Sequence, residues 1–132
     1  MVEARYQQPV TSSEKFKFDF ENLNVHQKAL NFIDEIFTLL KLLPREYRFS
    51  VGDNLLRAAL SISNNIAEGN DKKSGKERNR YFGTVSDSAR ECVSVLIVLN
   101  RQQLVEDSVY WKLKNQAREI TSMIKGLLKL SF

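Results

Sequence analysis

Histidine, cysteine and tryptophan occur once each in these 132 residues, as His26, Cys92 and Trp111, and proline occurs only twice. Each scarcity excludes something. With one histidine, and no glutamate three residues before it, the chain cannot supply the paired Glu-x-x-His motifs of a di-iron site in a helix bundle. A single histidine likewise gives no basis for a Ser-His-Asp or Cys-His nucleophile, so an enzyme is the least supported class, and neither metal nor cofactor is expected. His26 reads as a packing or surface residue of a first helical turn, and Cys92 as a small core filler. One cysteine closes no intramolecular disulfide, which suits a reducing compartment and makes the cytoplasm the default expectation. The longest apolar run, near Cys92 to Leu99, falls far short of the ~20 residues a membrane helix needs. The opening Met-Val-Glu-Ala-Arg-Tyr-Gln-Gln-Pro lacks the basic-then-apolar order of a signal peptide. A soluble chain without membrane insertion is therefore expected.

What is present in excess is positive charge, and it is unevenly placed. The 20 lysines and arginines against 16 acids leave a net charge of +4. All of that excess falls in residues 70–132, with 12 cations against 7 acids. Five cations, Lys72, Lys73, Lys76, Arg78 and Arg80, stand within nine residues beside the single acid Glu77. Such a field favours a polyanion or an acidic protein as partner, while the plainer reading is a solvated surface kept for solubility.

Residues 1–19 mix Gln, Pro, Thr, Ser and Lys without apolar period and read as a flexible leader ahead of a bundle spanning 20–132. Four amphipathic segments follow. The first should open at Asn24 as cap, with Gln27 reaching back, and carry the stripe Val25, Ala29, Ile33, Ile36, Leu40, Leu43 before Pro44 ends it. Ser50 and Asp53 signal a second start, with Leu55, Ala59, Ile62 and Ile66 inward and Gly69 as the C-terminal cap. The third opens at Ser74 with Glu77 at the capping-box position, then repeats Phe82, Val85, Ala89, Cys92, Leu96, Leu99, a heptad seam. After a break near Leu104 to Ser108, the fourth carries Tyr110, Leu113, Ala117, Ile120, Ile124, Leu127. A strand over the β-branched run Val93 to Val98 is excluded because the three-four spacing continues on both sides. Short connections predict an all-α, antiparallel, up-down-up-down four-helix bundle.

From Cys92 to Leu99 only Ser94 is polar, so this stretch of the third helix is apolar around nearly its whole circumference, with Val95 and Val98 lying off the seam. A single bundle cannot bury it on every side, so a homo-oligomer contacting that helix is expected, the alternative being cover from the first loop and the leader. On the second helix Arg57, Ser61, Asn64 and Glu68 share one face with Asn65 beside them; they form either a site or, on the plainer reading, a hydrogen-bonded ladder at a helix or subunit contact. On the fourth, Lys114, Arg118, Lys125 and Lys129 cluster on one side with Trp111 projecting the same way. A row of cations beside an exposed indole suits a nucleic-acid backbone with a stacked base; it equally suits a solvated face with Trp111 packed on a neighbouring subunit. The turn from Gly69 to Lys76 is a near miss for a phosphate-binding P-loop. Five residues instead of four separate Gly69 from Gly75, Glu77 stands where a hydroxyl is needed, and a helix precedes it.

The strings Leu23-Asn24-Val25-His26-Gln27-Lys28-Ala29 and Leu56 to Gly69, with its Ser-Ile-x-x-Asn-Ile-Ala-Glu-Gly core, together with Tyr81-Phe82 and Glu91, carry a resemblance covering about residues 20–132. The chain resembles the bacterial four-helix-bundle proteins encoded in 23S rRNA intervening sequences, a family related to the accessory variability proteins of diversity-generating retroelements. Two positions depart from that pattern: His26 stands where tryptophan is usual, and Ser63-Asn64 where Pro-Ser is common, so a mid-helix kink is not carried over. The resemblance implies a homopentameric, basic, barrel-like assembly. For retroelement members it implies binding to nucleic acid and to a reverse transcriptase. Two functions stand against each other: a non-enzymatic homo-oligomer that binds RNA or DNA through the cations above, and a protein-interaction scaffold that holds nucleic acid only indirectly.

Overall fold

The structure, a computed structural model, describes residues 15–130, the last two by their backbone alone; residues 1–14 of the expected leader lie outside the described residues. Lys15 to Phe18 run without regular structure into a 3₁₀ turn, Asp19–Asn22. Four long helices follow: α1 (Asn24–Leu42), α2 (Val51–Asp71), α3 (Gly75–Arg101) and α4 (Asp107–Leu130), with a single helical turn, Arg45–Arg48, between the first two. No strand occurs among the described residues.

Helix starts and stops follow local chemistry, with departures from the sequence expectation. At α1 the cap is Leu23, so Asn24 is already helical, and the Gln27 amide reaches past it to donate to the Glu21 carbonyl at 2.8 Å. Leu43 turns extended before Pro44, whose ring disfavours helical backbone in the residue it follows. The end of α1 is then held by Arg48, whose Nη2 donates to the carbonyl oxygens of Lys41 at 3.3 Å and Leu43 at 3.1 Å. Ser50 precedes α2 but directs its hydroxyl backwards, to the Glu46 and Tyr47 carbonyls. Ser74 caps α3 as expected, its Oγ accepting from the Glu77 amide at 3.4 Å. At the far end of α3, Gln103 takes φ 62°, the Leu104 amide donates to the Leu99 carbonyl, and the Gln103 amide donates to that of Asn100. This is a Schellman stop without its usual glycine.

Gly69 does not end α2, which runs two residues further to Asp71. Its backbone stays helical, since no glycine of the described residues has positive φ. The residue is small for a packing reason: it lies against the fully buried ring of Phe82 on α3.

The helices pack in a ring, α1 on α2, α2 on α3, α3 on α4 and α4 back on α1. Contacts across two of these seams run in opposite register, and the short connections set the other two the same way. Gly69 meets Phe82, Ser61 meets Ser88 and Arg57 meets Glu91 between α2 and α3. Lys28 pairs with Glu119 at 3.0 Å and Glu35 with Lys112 at 2.8 Å between α1 and α4. Neighbours are thus antiparallel, and the four apolar stripes converge on one core that includes Ile36, Leu55, Ile62, Phe82, Leu96, Leu113 and Ile120. The buried face of α1 is wider than its expected stripe and adds Phe32 and Leu39, because this helix is pressed by both α2 and α4.

Candidate nucleic-acid interface

The expected binding cations separate into two groups at different heights of the bundle. At the α2–α3 turn, Lys72, Lys73, Lys76 and Arg80 line a shallow concavity with Asp71, Ser74 and Glu77. Short connection length and the Ser74 cap hold this turn, and Tyr81 anchors two of its cations: Lys72 Nζ lies 5.3 Å and the Arg80 guanidinium 5.0 Å from the centre of its ring. Lys72 also pairs with Glu68 at 3.7 Å. Arg78 does not join them. It is half-buried, lies over the Phe82 ring at 5.5 Å, and leaves its Nε buried without a partner.

The second group lies in a groove between α3 and α4 with a volume of about 460 Å³. Trp111 forms one wall, Lys114 and Arg118 stand on the rim, and Arg90 completes the rim from α3. Val93, Ile97, Ala89 and Ala117 make the base. Trp111 is 54% exposed. Its ring packs on that of Tyr110 in a T-shaped contact, with centroids 5.3 Å apart at 67°. Lys114 Nζ sits over the indole at 4.8 Å and donates to the Tyr110 hydroxyl at 3.1 Å. Arg90 escaped the sequence reading. Its signal was the antiparallel pairing of α3 with α4, which sets it across the groove from Arg118. Lys125 is exposed on α4 but lines neither concavity, and the Lys129 side chain lies outside the described residues.

The polar row of α2 divides in the same way. Ser61 accepts from the Ser88 hydroxyl at 2.8 Å and from the Asn65 amide at 3.0 Å, and Asn65 also donates to the Ser61 carbonyl at 2.8 Å. Arg57 reaches Glu91 on α3 at 3.6 Å and donates to Asn54 on its own helix. Asn64 and Glu68 face solvent. Ser61 and Arg57 thus tie α2 to α3, Asn65 braces Ser61 within α2, and Asn64 and Glu68 make no link to α3.

Two groups with altered acidity stand in the core, away from both concavities. Burial pushes the Cys92 thiol up to about 12, and the neighbouring Glu91 charge adds to the effect. Burial also lowers the pKa of His26, against a smaller opposing pull from Glu21, and its Nδ1 is buried without a hydrogen-bond partner. Among the described residues no group of three or more His, Cys, Asp or Glu is placed to hold a metal ion. No helix among them is long and apolar enough to cross a membrane.

The sequence pattern of the 23S rRNA-intervening sequence proteins matches residues 21–126, most of the chain and all four helices. The chain belongs to the 23S rRNA-intervening sequence protein family. A crystal structure from the S23 ribosomal protein family, of a protein from Bacteroides thetaiotaomicron described as having unknown function, is similar to it with a TM-score of 0.74. The two are 25% identical, over 80% of this chain and 98% of that one. No curated protein matches the chain. The family match accounts for the motif strings in α1 and α2, and the structure explains one of them: Gly69 and Phe82, both in quoted motifs, are in contact.

Proposed function

We propose that this protein is a non-enzymatic, homo-oligomeric nucleic-acid-binding protein that engages phosphates through the cations of the α2–α3 turn and the α3–α4 groove. The observation that carries the reading is the clustering of unpaired cations: Lys73, Lys76 and Arg80 line one concavity, Arg90, Lys114 and Arg118 line another, and none of the six has a carboxylate partner among the described residues. Uncompensated like charge opposes the compact state, and an anionic partner relieves it.

Self-association is supported by Val98, 49% exposed in the Cys92 to Leu99 stretch of α3, where the helix is apolar around most of its girth. A pentamer rests on the family likeness, as does a reverse transcriptase as protein partner. Sedimentation or light scattering at micromolar concentration tests the first, and co-purification after nuclease treatment tests the second.

The direct test is a salt titration on a structured RNA. Affinity should fall by about one log unit per log unit of salt for each phosphate engaged. Replacing Lys73, Lys76, Arg80 and Arg118 with glutamine should flatten that slope and weaken binding to all sequences alike. Binding without salt dependence, or unaltered in the variant, refutes the reading.

A further inference from the structure

We infer that the α3–α4 groove is a subsite for unpaired nucleotides, with a base laid on Trp111 and the adjoining phosphates held by Arg90, Lys114 and Arg118. The inference rests on the nucleic-acid reading above and narrows it to single strands at this location.

Three features coincide here and nowhere else among the described residues. First, the lining is amphipathic in the sense a nucleotide is: Val93 and Ile97 give an apolar base, and three cations stand on the rim with no carboxylate in the lining. A duplex hides its bases and offers only phosphates to such a surface, whereas a single strand offers an aromatic face and a phosphate together. Second, the indole is both exposed and fixed. Tyr110 packs against it in a T-shaped contact and Lys114 lies over one face at 4.8 Å, so the ring is already oriented before any ligand arrives, and the cation beside it adds to the attraction for an anionic strand. Third, the three cations are uncommitted: none has a carboxylate partner, and Lys114 donates only to the neutral Tyr110 hydroxyl. The volume of about 460 Å³ falls in the range of small-ligand sites. By contrast the α2–α3 turn offers cations whose aromatic neighbour, Tyr81, lies between Lys72 and Arg80, so that turn has phosphate contacts without a free ring.

Because Trp111 is the one tryptophan of the chain, its emission reports on this groove alone. The full-length protein is titrated at low salt with a 12-mer oligouridylate, a 12-mer oligothymidylate, and an RNA duplex at equal phosphate concentration. Following Trp111 emission and the anisotropy of labelled strands separates occupancy of the groove from binding elsewhere. Either single strand should quench the emission, and the two arms tell whether ribose or deoxyribose is preferred; the duplex should bind without quenching. Trp111→Ala, at an exposed position and checked for retained helicity, should weaken single-strand binding about tenfold and leave duplex binding unchanged, while Arg118→Gln should also weaken single-strand binding. Arg90→Gln serves as an independent variant on the opposite helix. Single strands that bind without changing Trp111 emission overturn the subsite while leaving the broader nucleic-acid reading intact. So does an indole already shielded from acrylamide in the free protein, which would mean that a second copy covers the groove. Absence of binding by all three probes overturns both.

Discussion

Gly69 of α2 lies directly against Phe82 of α3: a Cβ built on the glycine would come within 2.7 Å of Cε1 and 2.8 Å of Cδ1 of the ring. Phe82 is fully buried and has no room to swing aside. An alanine in a helix interior ordinarily gains about 1 kcal/mol over glycine. Here overpacking, at about 1–3 kcal/mol, outweighs that gain. Gly69→Ala should therefore destabilise by about 1 kcal/mol. Gly83→Ala, where a Cβ would meet nothing within 4 Å beyond its own stretch of helix, should stabilise by roughly 0.5–1 kcal/mol. Urea unfolding followed by circular dichroism reads both, and shifts of the same sign would refute the packing account.

Gln103 holds a left-handed backbone, φ 62°, at the end of α3. A Cβ in that region costs about 1 kcal/mol, and glycine removes the cost. Gln103→Gly should raise stability by about that amount in the same unfolding assay, whereas Gln103→Val should lower it.

His26 is 7% exposed, its Nδ1 has no partner, and the edge of Phe20 packs on it at 4.9 Å. The folded protein binds this proton less readily than the unfolded chain does, so protonation favours unfolding. Stability should be highest above the ordinary histidine value of 6.5 and fall as pH drops from there toward the lowered folded value. Between pH 7 and 5, before most carboxylates titrate, His26→Phe should abolish most of that slope in chemical-denaturation curves. An equal slope in wild type and variant would assign the dependence to other groups.

Cys92 is fully buried with its thiol pushed up to about 12. It should resist alkylation and disulfide exchange at pH 8 in the native protein and react at once in denaturant, since the thiolate is the reactive form. Ready native labelling would show that α3 opens locally. Cys92→Ala, which leaves a small void, should cost about 1–2 kcal/mol.

The four helices were legible because each carries an unbroken three-four stripe bounded by its own punctuation, and Pro44 and Ser74 act where the sequence places them. Legibility ended where a residue answers to a distant neighbour. Gly69 has the composition of a cap, and only the Phe82 ring, on another helix, shows why it is small. Phe32 and Leu39 lie off the stripe of α1 and are buried because two helices press on it. The turn Arg45–Arg48 carries too little periodicity to register, although its Arg48 closes α1. Within the candidate interface, the α4 row was readable from helical spacing. Its Arg90 partner required the pairing of α3 with α4, and the separation of the turn cations from the groove required the bundle.

The two ion pairs between α1 and α4 reverse sign one heptad apart: Lys28 faces Glu119, and Glu35 faces Lys112. Half-exposed pairs of this kind add little to stability. Their arrangement instead works as a key. Sliding α4 along α1 by seven residues keeps every apolar stripe inward, yet it sets lysine against lysine or glutamate against glutamate. The apolar stripes do not by themselves discriminate against that register, and the alternating charges bias against it, favouring the height at which α4, and the Trp111 wall it carries, stands against the rest of the molecule.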